Sequence, residues 1–249
     1  MLGVISIVVI VAAVVTIILV NRSSDPVAGP QTSSAPPATT TGNPAPSSSR
    51  SAPTTRAEPT TTAPGDGGTT VDNAAARLAY RVPAGWRADE SSTVEVLGVE
   101  FSGSATTGPY NCGGADYSRA FAVSAAVQNS NKQTVDPAKA ANSFVTAFAE
   151  EFYPQGMVVG APAVETGQLG GKKSVTLTAD VGTKPTKPDC EASGAAISVL
   201  AVDLDNATAD HPSGVALLVV VRDRAGGPTD PAPVPDPVAA GILASAEVD

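Results

Sequence analysis

The sequence has few of the residues from which most catalytic and metal sites are built. Its 249 residues include one histidine, His211, and two cysteines, Cys112 and Cys190. A structural zinc site needs four nitrogen or sulfur ligands, and a single histidine cannot form a two-histidine motif. The cysteines are also too far apart for a Cys-x-x-Cys redox pair. We therefore expect no metal centre and no cofactor.

Basic residues are also scarce. The chain has 15 Lys and Arg against 24 Asp and Glu, which gives a formal net charge of −9. Nucleic-acid binding depends on a basic stripe that neutralises phosphates, and no such stripe is visible. The composition therefore excludes a nucleic-acid partner, although an acidic balance names no other partner.

The usual catalytic motifs are missing as well. His211 lies in the segment Asp210-His211-Pro212-Ser213-Gly214, where Ser213 is too near in sequence for an ordinary triad. No Gly-x-Ser-x-Gly elbow is present. The segment Gly167–Ser174 departs from the P-loop pattern and precedes a strand, whereas a P-loop opens a helix. We predict a surface-loop histidine, a hairpin turn and a domain that is not an enzyme.

Carboxylates give two weaker candidate sites. Asp203, Asp205 and Asp210 form an acidic loop that could hold calcium, but Ala207 and Thr208 occupy positions where an EF-hand needs a ligand and a glycine. Solvated carboxylates are the favoured interpretation. Glu150 and Glu151 are predicted to lie on the polar back of a helix.

The first residues are predicted to cross a membrane. Leu2–Val20 carries no charge, and its 19 residues would give a helix of about 28 Å, close to the hydrocarbon thickness of a bilayer. A cleaved signal peptide is the alternative, but it would have a basic start, a shorter apolar core and a small-residue cleavage site. We expect a retained signal-anchor over residues 1–21.

Residues 22–76 are predicted to be a disordered linker. Of the 48 residues from Ser23 to Thr70, 40 are Ser, Thr, Pro, Gly or Ala, and none is aromatic, Leu or Ile. Such a segment cannot bury enough apolar surface to offset its ordering entropy. A plain spacer is the favoured role, and Ser/Thr runs such as Thr60–Thr62 leave O-glycosylation as an alternative.

Residues 77–249 are predicted to form one α+β domain. Asp136-Pro137 and Asp236-Pro237 are predicted helix starts. Ala141, Phe144, Val145, Phe148 and Phe152 form one apolar stripe on the first helix, and Val238, Ile242 and Leu243 face inward from the second. The predicted strands are Leu78–Val82, Val94–Phe101, Ala120–Val127, Met157–Thr166, Lys172–Val181, Ala195–Asp203 and Val215–Asp223.

These strands are predicted to pair antiparallel. The turn Gly167–Gly171 joins two of them as a hairpin, and the later connections leave no room for crossover helices. The expected fold is an antiparallel sheet of about six to seven strands packed against two helices, after one transmembrane helix and a disordered linker.

One segment carries a family resemblance. Tyr80-Arg81-Val82-Pro83-Ala84-Gly85-Trp86 resembles the entry motif of PsbP-like domains, including LpqN-type proteins of the actinobacterial cell envelope. The predicted order of elements over residues 77–249 is similar to that family's. The resemblance implies an antiparallel sheet packed on helices, in an envelope protein that works by binding. It transfers no catalytic residue, and the absence of a lipid-modified cysteine departs from its lipoprotein members.

Cys112 and Cys190 are predicted to form a disulfide. Both lie in polar, turn-rich segments, and an even pair in an exported domain most often forms a disulfide. Two free thiols, or redox or metal chemistry, remain the alternatives. The pair and the long linker together predict that the domain lies outside the cytoplasm, on a single-pass membrane anchor.

The sequence favours a binding role in the cell envelope. The expected function is a membrane-anchored extracytoplasmic binding or interaction domain whose partner is an envelope protein or a small ligand. An accessory or sensor subunit of a membrane complex is one alternative. A carboxylate-based envelope enzyme is another, but no acid/base pair can be named for it.

Overall fold

The computed structural model describes residues 68–89, 91–128, 135–153, 156–204 and 214–249. By its contacts the chain divides after Arg56, and all of these residues lie in the unit Ala57–Asp249. The predicted membrane segment and most of the predicted linker fall outside the described residues. Within the described ranges, no helix has the length and apolarity needed to span a bilayer.

Two helices and thirteen strands occur in these ranges. They are β1 (Thr69–Asn73), β2 (Leu78–Val82), β3 (Trp86–Asp89), β4 (Val94–Val96), β5 (Val99–Thr107), β6 (Tyr110–Cys112), β7 (Ala115–Tyr117), β8 (Ala120–Val127), α1 (Pro137–Phe152), β9 (Met157–Leu169), β10 (Lys172–Gly182), β11 (Ala192–Asp203), β12 (Val215–Gly226), α2 (Asp236–Ala244) and β13 (Glu247–Val248).

The main sheet runs in the order β3-β5-β8-β12-β11-β10-β9, and β4 adds to it by pairing with β5. All of these pairs are antiparallel. A small sheet has the order β1-β2-β13, and β6 and β7 form a separate hairpin. The predicted antiparallel α+β class is confirmed, but the small sheet was not predicted.

The main sheet is covered on both faces, which gives three layers. The α1 side buries Leu217, Val219 and Val221 of β12. On the opposite side, the alternate β12 residues Leu218 and Val220 pack with the small sheet and α2. Because successive side chains of a strand point to opposite faces, a strand buried on both sides must be apolar throughout.

Helix α1 forms as its sequence predicts. The Asp136 side chain caps it by accepting a hydrogen bond of 3.0 Å from the Lys139 N–H, and Pro137 fills the first turn. The predicted stripe faces the sheet, where the Phe101 ring meets the rings of Phe144 and Phe148 at 5.3 and 5.1 Å.

The folded domain begins before the predicted boundary at residue 77. Val71 of β1 is only 2% exposed. The Asn73 amide donates hydrogen bonds to the side chains of Ser102 and Ser124, at 3.0 and 2.9 Å. The C-terminal end of the predicted linker therefore belongs to the fold, because its few apolar and amide side chains find partners on distant strands.

Several predicted strand limits are wrong, among them the start of β11, which lies at Ala192, and the end of β12, which lies at Gly226. The segment predicted as one strand, Val94–Phe101, is a hairpin, because Leu97 and Gly98 adopt positive φ values of 54° and 71° and reverse the chain. Strand β9 continues to Leu169 and pairs there with Lys172, so its turn is only Gly170-Gly171 and not the whole of 167–171.

The start of α2 differs from its prediction in one detail. The helix begins at Asp236, but the capping residue is Pro235 and no side chain caps the helix. The Asp236 carboxylate instead binds the Arg222 guanidinium at 2.5 Å. Ile242 and Leu243 are buried as predicted, and Val238 is partly buried.

Candidate functional site

A disulfide links two loops at one end of the main sheet. The Cys112 and Cys190 sulfur atoms are bonded, with their Cα atoms 5.6 Å apart. Cys112 ends β6, and the turn Gly113-Gly114, with φ values of 61° and 83°, returns the chain along β7. The bond therefore fixes the β6–β7 hairpin against the segment that joins β10 to β11.

The segment between β10 and β11 is also held from within. The Glu191 carboxylate accepts hydrogen bonds from the backbone N–H groups of Thr186 and Lys187, at 2.7 and 3.0 Å. The bond from Lys187, followed by those from Thr186, lowers the pKa of Glu191. The Tyr110 hydroxyl also connects this segment to the β6–β7 hairpin, by donating a hydrogen bond of 2.9 Å to the Cys190 carbonyl.

Arg119 is buried beneath this hairpin. It precedes β8, is 1% exposed, and its guanidinium lies 5.1 Å from the centre of the Tyr110 ring. It donates to the Asp223 carboxylate at 3.2 Å and to the backbone carbonyls of Gly226, Pro228 and Pro231. A buried guanidinium needs this many acceptors to offset its lost hydration.

Asp223 of β12 joins Arg119 to Tyr153. One carboxylate oxygen binds Arg119, and the other accepts a hydrogen bond of 3.1 Å from the Tyr153 hydroxyl. Burial raises the pKa of Asp223, although both bonds act in the opposite direction. Burial and the Asp223 charge raise the pKa of Tyr153 well above 10.0. Tyr153 therefore stays a neutral hydrogen-bond donor at neutral pH.

These parts enclose a cavity of about 340 Å³. We call it the aromatic cavity, because its lining includes Tyr110, Tyr117, Phe121, Phe152 and Tyr153. The rings of Tyr110 and Tyr117 stack at 5.7 Å, and those of Phe121 and Phe152 meet at 4.6 Å. The disulfide lies at its edge, since Cys190 also lines it.

The polar groups around the aromatic cavity are largely bonded to one another. Thr183 donates to the Ala192 carbonyl, Ser118 binds Thr106 and Thr107, and Thr186 binds Glu191. A ligand therefore meets ring faces and polar groups of which most are already bonded, apart from the exposed Lys184 and the Tyr117 hydroxyl. Such a cavity suits an apolar group that leaves water on binding. The bonds among Arg119, Asp223 and Tyr153 hold its walls in place.

The other sequence-predicted residues are spread over the chain. Asp203 ends β11, whereas the rest of the acidic segment and His211 lie outside the described residues. Glu150 and Glu151 are exposed on α1, as predicted, and the segment Gly167–Ser174 lies in the β9–β10 hairpin. In the part of the chain that the structure describes, no cluster of His, Cys, Asp and Glu could hold a metal ion.

Among the predicted site residues that the structure describes, Cys190 lines the aromatic cavity, and its disulfide partner Cys112 does not. Sequence reasoning missed Arg119, Asp223 and Tyr153, since the first two are 104 residues apart and meet only through strand pairing. One signal was available: an acidic and two basic residues, Arg222-Asp223-Arg224, follow the apolar run of β12. Charged side chains at the end of a buried strand indicate that oppositely charged side chains lie nearby in the fold.

Comparisons with known proteins place the chain in a family without describing its activity. A family model described as "Domain of unknown function (DUF8017)" matches residues 59–247. No curated protein matches the sequence. The solution structure of cyanobacterial PsbP (CyanoP) from Synechocystis sp. PCC 6803 is similar over 74% of this chain and 93% of its own, with 11% identity and a TM-score of 0.40. That score is too low for any detail of site or function to be transferred.

Proposed function

The chain belongs to the DUF8017 family, and we propose that its folded domain is a non-enzymatic binding module of the bacterial cell envelope. The aromatic cavity carries the proposal, because its walls are rings and most of its polar groups, including Arg119, Asp223 and Tyr153, are already bonded within the protein. Its ligand is an uncharged, mainly apolar group of about the size of one or two rings.

Rigidity of the walls supports this role. The disulfide, the Tyr110 bond to Cys190 and the Glu191 bonds hold both sides of the aromatic cavity before any ligand arrives. A preformed cavity loses less conformational entropy on binding than a mobile one. Each Å² of apolar surface removed from water then contributes about 25 cal/mol.

The proposed location follows from the residues that precede the domain. An uncharged 19-residue apolar segment and a Pro- and Thr-rich linker suit a domain held away from a membrane surface. A disulfide in the folded domain suits an oxidising compartment. We therefore propose that the domain works outside the cytoplasm on a single-pass anchor.

The binding role is tested by titrating indole, an uncharged aromatic probe, into the full chain held in lipid nanodiscs. Calorimetry, with the heat of empty nanodiscs subtracted, should show saturable binding to the wild type. Tyr117→Ala removes a half-buried ring of the cavity wall and should weaken binding by about tenfold, because one stacking contact is lost. Tyr117→Phe keeps the ring and should bind as the wild type does.

Val164→Ala is the matched control for binding to exposed apolar surface. Val164 lies on β9, away from the lining of the aromatic cavity, and is 54% exposed. This variant should leave the indole affinity unchanged. Equal affinities for the wild type and Tyr117→Ala, or a loss confined to Val164→Ala, would show that the aromatic cavity is not the binding site.

A further inference from the structure

A second and larger cavity lies on the other face of the main sheet. It is a groove of about 590 Å³ between α2 and strands β9, β10 and β11. Its floor is a set of hydroxyl side chains, and we call it the hydroxyl groove after them: Ser174, Thr176 and Thr178 of β10, and Ser198 of β11. The aromatic cavity is lined from the α1 side by Phe121 and Val221, so the main sheet separates the two.

The row of hydroxyls follows from strand geometry. Ser174, Thr176 and Thr178 alternate with Val175, Leu177 and Ala179, which are buried. Side chains two residues apart on a strand share a face and are spaced by roughly 6.8 Å. Gly167 of β9 pairs with Ser174 and has no side chain, so the groove stays open beside that hydroxyl.

Several polar groups of the hydroxyl groove have no protein partner. Thr178 and Ser198 bind each other at 3.0 Å. Within the described residues, however, the hydroxyls of Ser174 and Thr176 make no hydrogen bond, although Ser174 is only 8% exposed. Arg222, which is 4% exposed and lines the groove, has an Nε atom without an acceptor.

Unused donors and acceptors distinguish this groove from the aromatic cavity. Glu165 pairs across the sheet with Thr176, and it lines the groove with Gln168; neither side chain is bonded within the described part of the chain. Glu165 and Gln168 are exposed, so a ligand replaces the water bound to them, whereas Arg222 Nε is buried without an acceptor and would gain one. The apolar wall is formed by Leu200, Leu243 and the alanines of α2.

The charges of the hydroxyl groove exclude an anionic ligand. Asp236 binds Arg222 at 2.5 Å and Arg224 at 3.4 Å, and Asp180 also binds Arg224. The guanidinium charges are therefore balanced, and Glu165 adds a negative charge. A phosphate or carboxylate would meet no uncompensated cation here.

We propose that the hydroxyl groove binds a neutral saccharide of a few residues. Sugar hydroxyls both donate and accept, which matches Ser174, Thr176, Glu165 and Gln168, and sugar C–H faces can pack on Leu200 and Leu243. The volume lies within the range of ordinary small-ligand sites. This site is separate from the aromatic cavity and does not depend on its ligand.

The test uses the full chain in nanodiscs with maltotriose, chitotriose and mannotriose as probes, and inorganic phosphate as the anionic probe. Calorimetry and saturation-transfer NMR should show that at least one trisaccharide binds and that phosphate does not compete. Thr176→Val keeps the shape of the side chain and removes its hydroxyl. It should weaken saccharide binding by about three- to tenfold.

Two further variants make the result specific. Thr166→Val is the same change at an exposed site on the opposite face of the hairpin, because Thr166 pairs with Val175, and it should have no effect. Gly167→Val should weaken saccharide binding by narrowing the groove beside Ser174; a Cβ there meets only Ser174 Oγ, at 3.5 Å. The affinity for indole should be unchanged in the Thr166→Val and Gly167→Val variants. Absence of binding by all three trisaccharides, competition by phosphate, or binding unaffected by Thr176→Val and Gly167→Val would overturn the proposal.

Discussion

At the scale of single residues, two neighbouring side chains of β12 serve opposite faces of the sheet. Arg222 points to the hydroxyl groove, and Asp223 joins the network behind the aromatic cavity. Asp223 is held by Arg119 and Tyr153, and Arg119 also binds three carbonyls of the segment after β12. Arg119 and Asp223 therefore stay charged in the interior because each has more than one partner.

The first prediction concerns Arg119. Arg119→Ala would leave Asp223 buried without its counter-charge, and we expect the free energy of unfolding to fall by about 3–5 kcal/mol. Arg224→Ala is the control, because Arg224 makes a similar ion pair with Asp180 while being 39% exposed. That pair should contribute about 1 kcal/mol or less. Urea unfolding of both variants measures the difference. Equal losses in the free energy of unfolding would show that the buried pair of Arg119 and Asp223 contributes no more than the exposed pair of Arg224 and Asp180.

The second prediction concerns Tyr80. Its hydroxyl is fully buried and donates to the Gly103 carbonyl at 2.5 Å, and burial raises its pKa above 10.0. An unfolded tyrosine releases its proton near pH 10, whereas the folded one keeps it. The unfolded state therefore binds fewer protons above that pH, and stability falls as pH rises further.

Tyr80→Phe removes both the hydrogen bond and this pH dependence. At pH 7 we expect a loss of about 1–3 kcal/mol in the free energy of unfolding, because the buried carbonyl loses its donor. The difference from the wild type should shrink between about pH 10 and pH 11, as the wild type loses stability. Urea unfolding over this range provides the measurement. A constant difference would show that Tyr80 ionises equally in both states.

At the scale of elements, the sequence predicted the parts that carry a clear period. Strands β2 and β8 have the predicted limits, and α1 begins at the predicted Asp136-Pro137 start, because apolar spacing and the helix cap agree there. The turn at Leu97 was missed because leucine rarely adopts a positive φ. Strands β3, β6, β7 and β13 have four residues or fewer, which is too short for periodicity to show, and β1 lies in the segment predicted as linker.

The candidate site was predictable only in its covalent part. Cys112 and Cys190 were identified because their residue type and local composition are visible in the sequence. Arg119 and Asp223 were not, because their pairing depends on which strands become neighbours. The hydroxyls of β10 alternate with apolar residues as in any half-buried strand, so only the position of α2 shows that a groove lies above them.

The disulfide gives a prediction for the elements that it joins. Replacing both Cys112 and Cys190 by serine opens a 78-residue loop, and we expect a loss of about 2–4 kcal/mol in the free energy of unfolding. The affinity for indole should fall more than the affinity for the trisaccharide. The reason is that the disulfide borders the aromatic cavity and not the hydroxyl groove. Chemical unfolding and calorimetry of the double variant test both parts. Unchanged indole affinity would mean that the disulfide does not shape the cavity.

At the scale of the whole molecule, the three-layer fold keeps two chemically different cavities apart. One is walled by rings with most of its polar groups bonded internally, and the other has a floor of hydroxyls of which Ser174 and Thr176 are unbonded within the described residues. Because the main sheet lies between them, a ligand in one cavity does not touch a ligand in the other. Each cavity is tested by its own probe.

The central claim is that the aromatic cavity binds an apolar ligand, and ring-resolved NMR of the full chain tests it most directly. The phenylalanine and tyrosine rings are isotope-labelled in nanodiscs, and indole is added. Tyr110, Tyr117, Phe121 and Phe152 should shift, whereas the fully buried rings of Tyr80 and Phe101 should not. Saturable shifts confined to the first set are the predicted result. No shift in that set, or equal shifts in both sets, would contradict the claim.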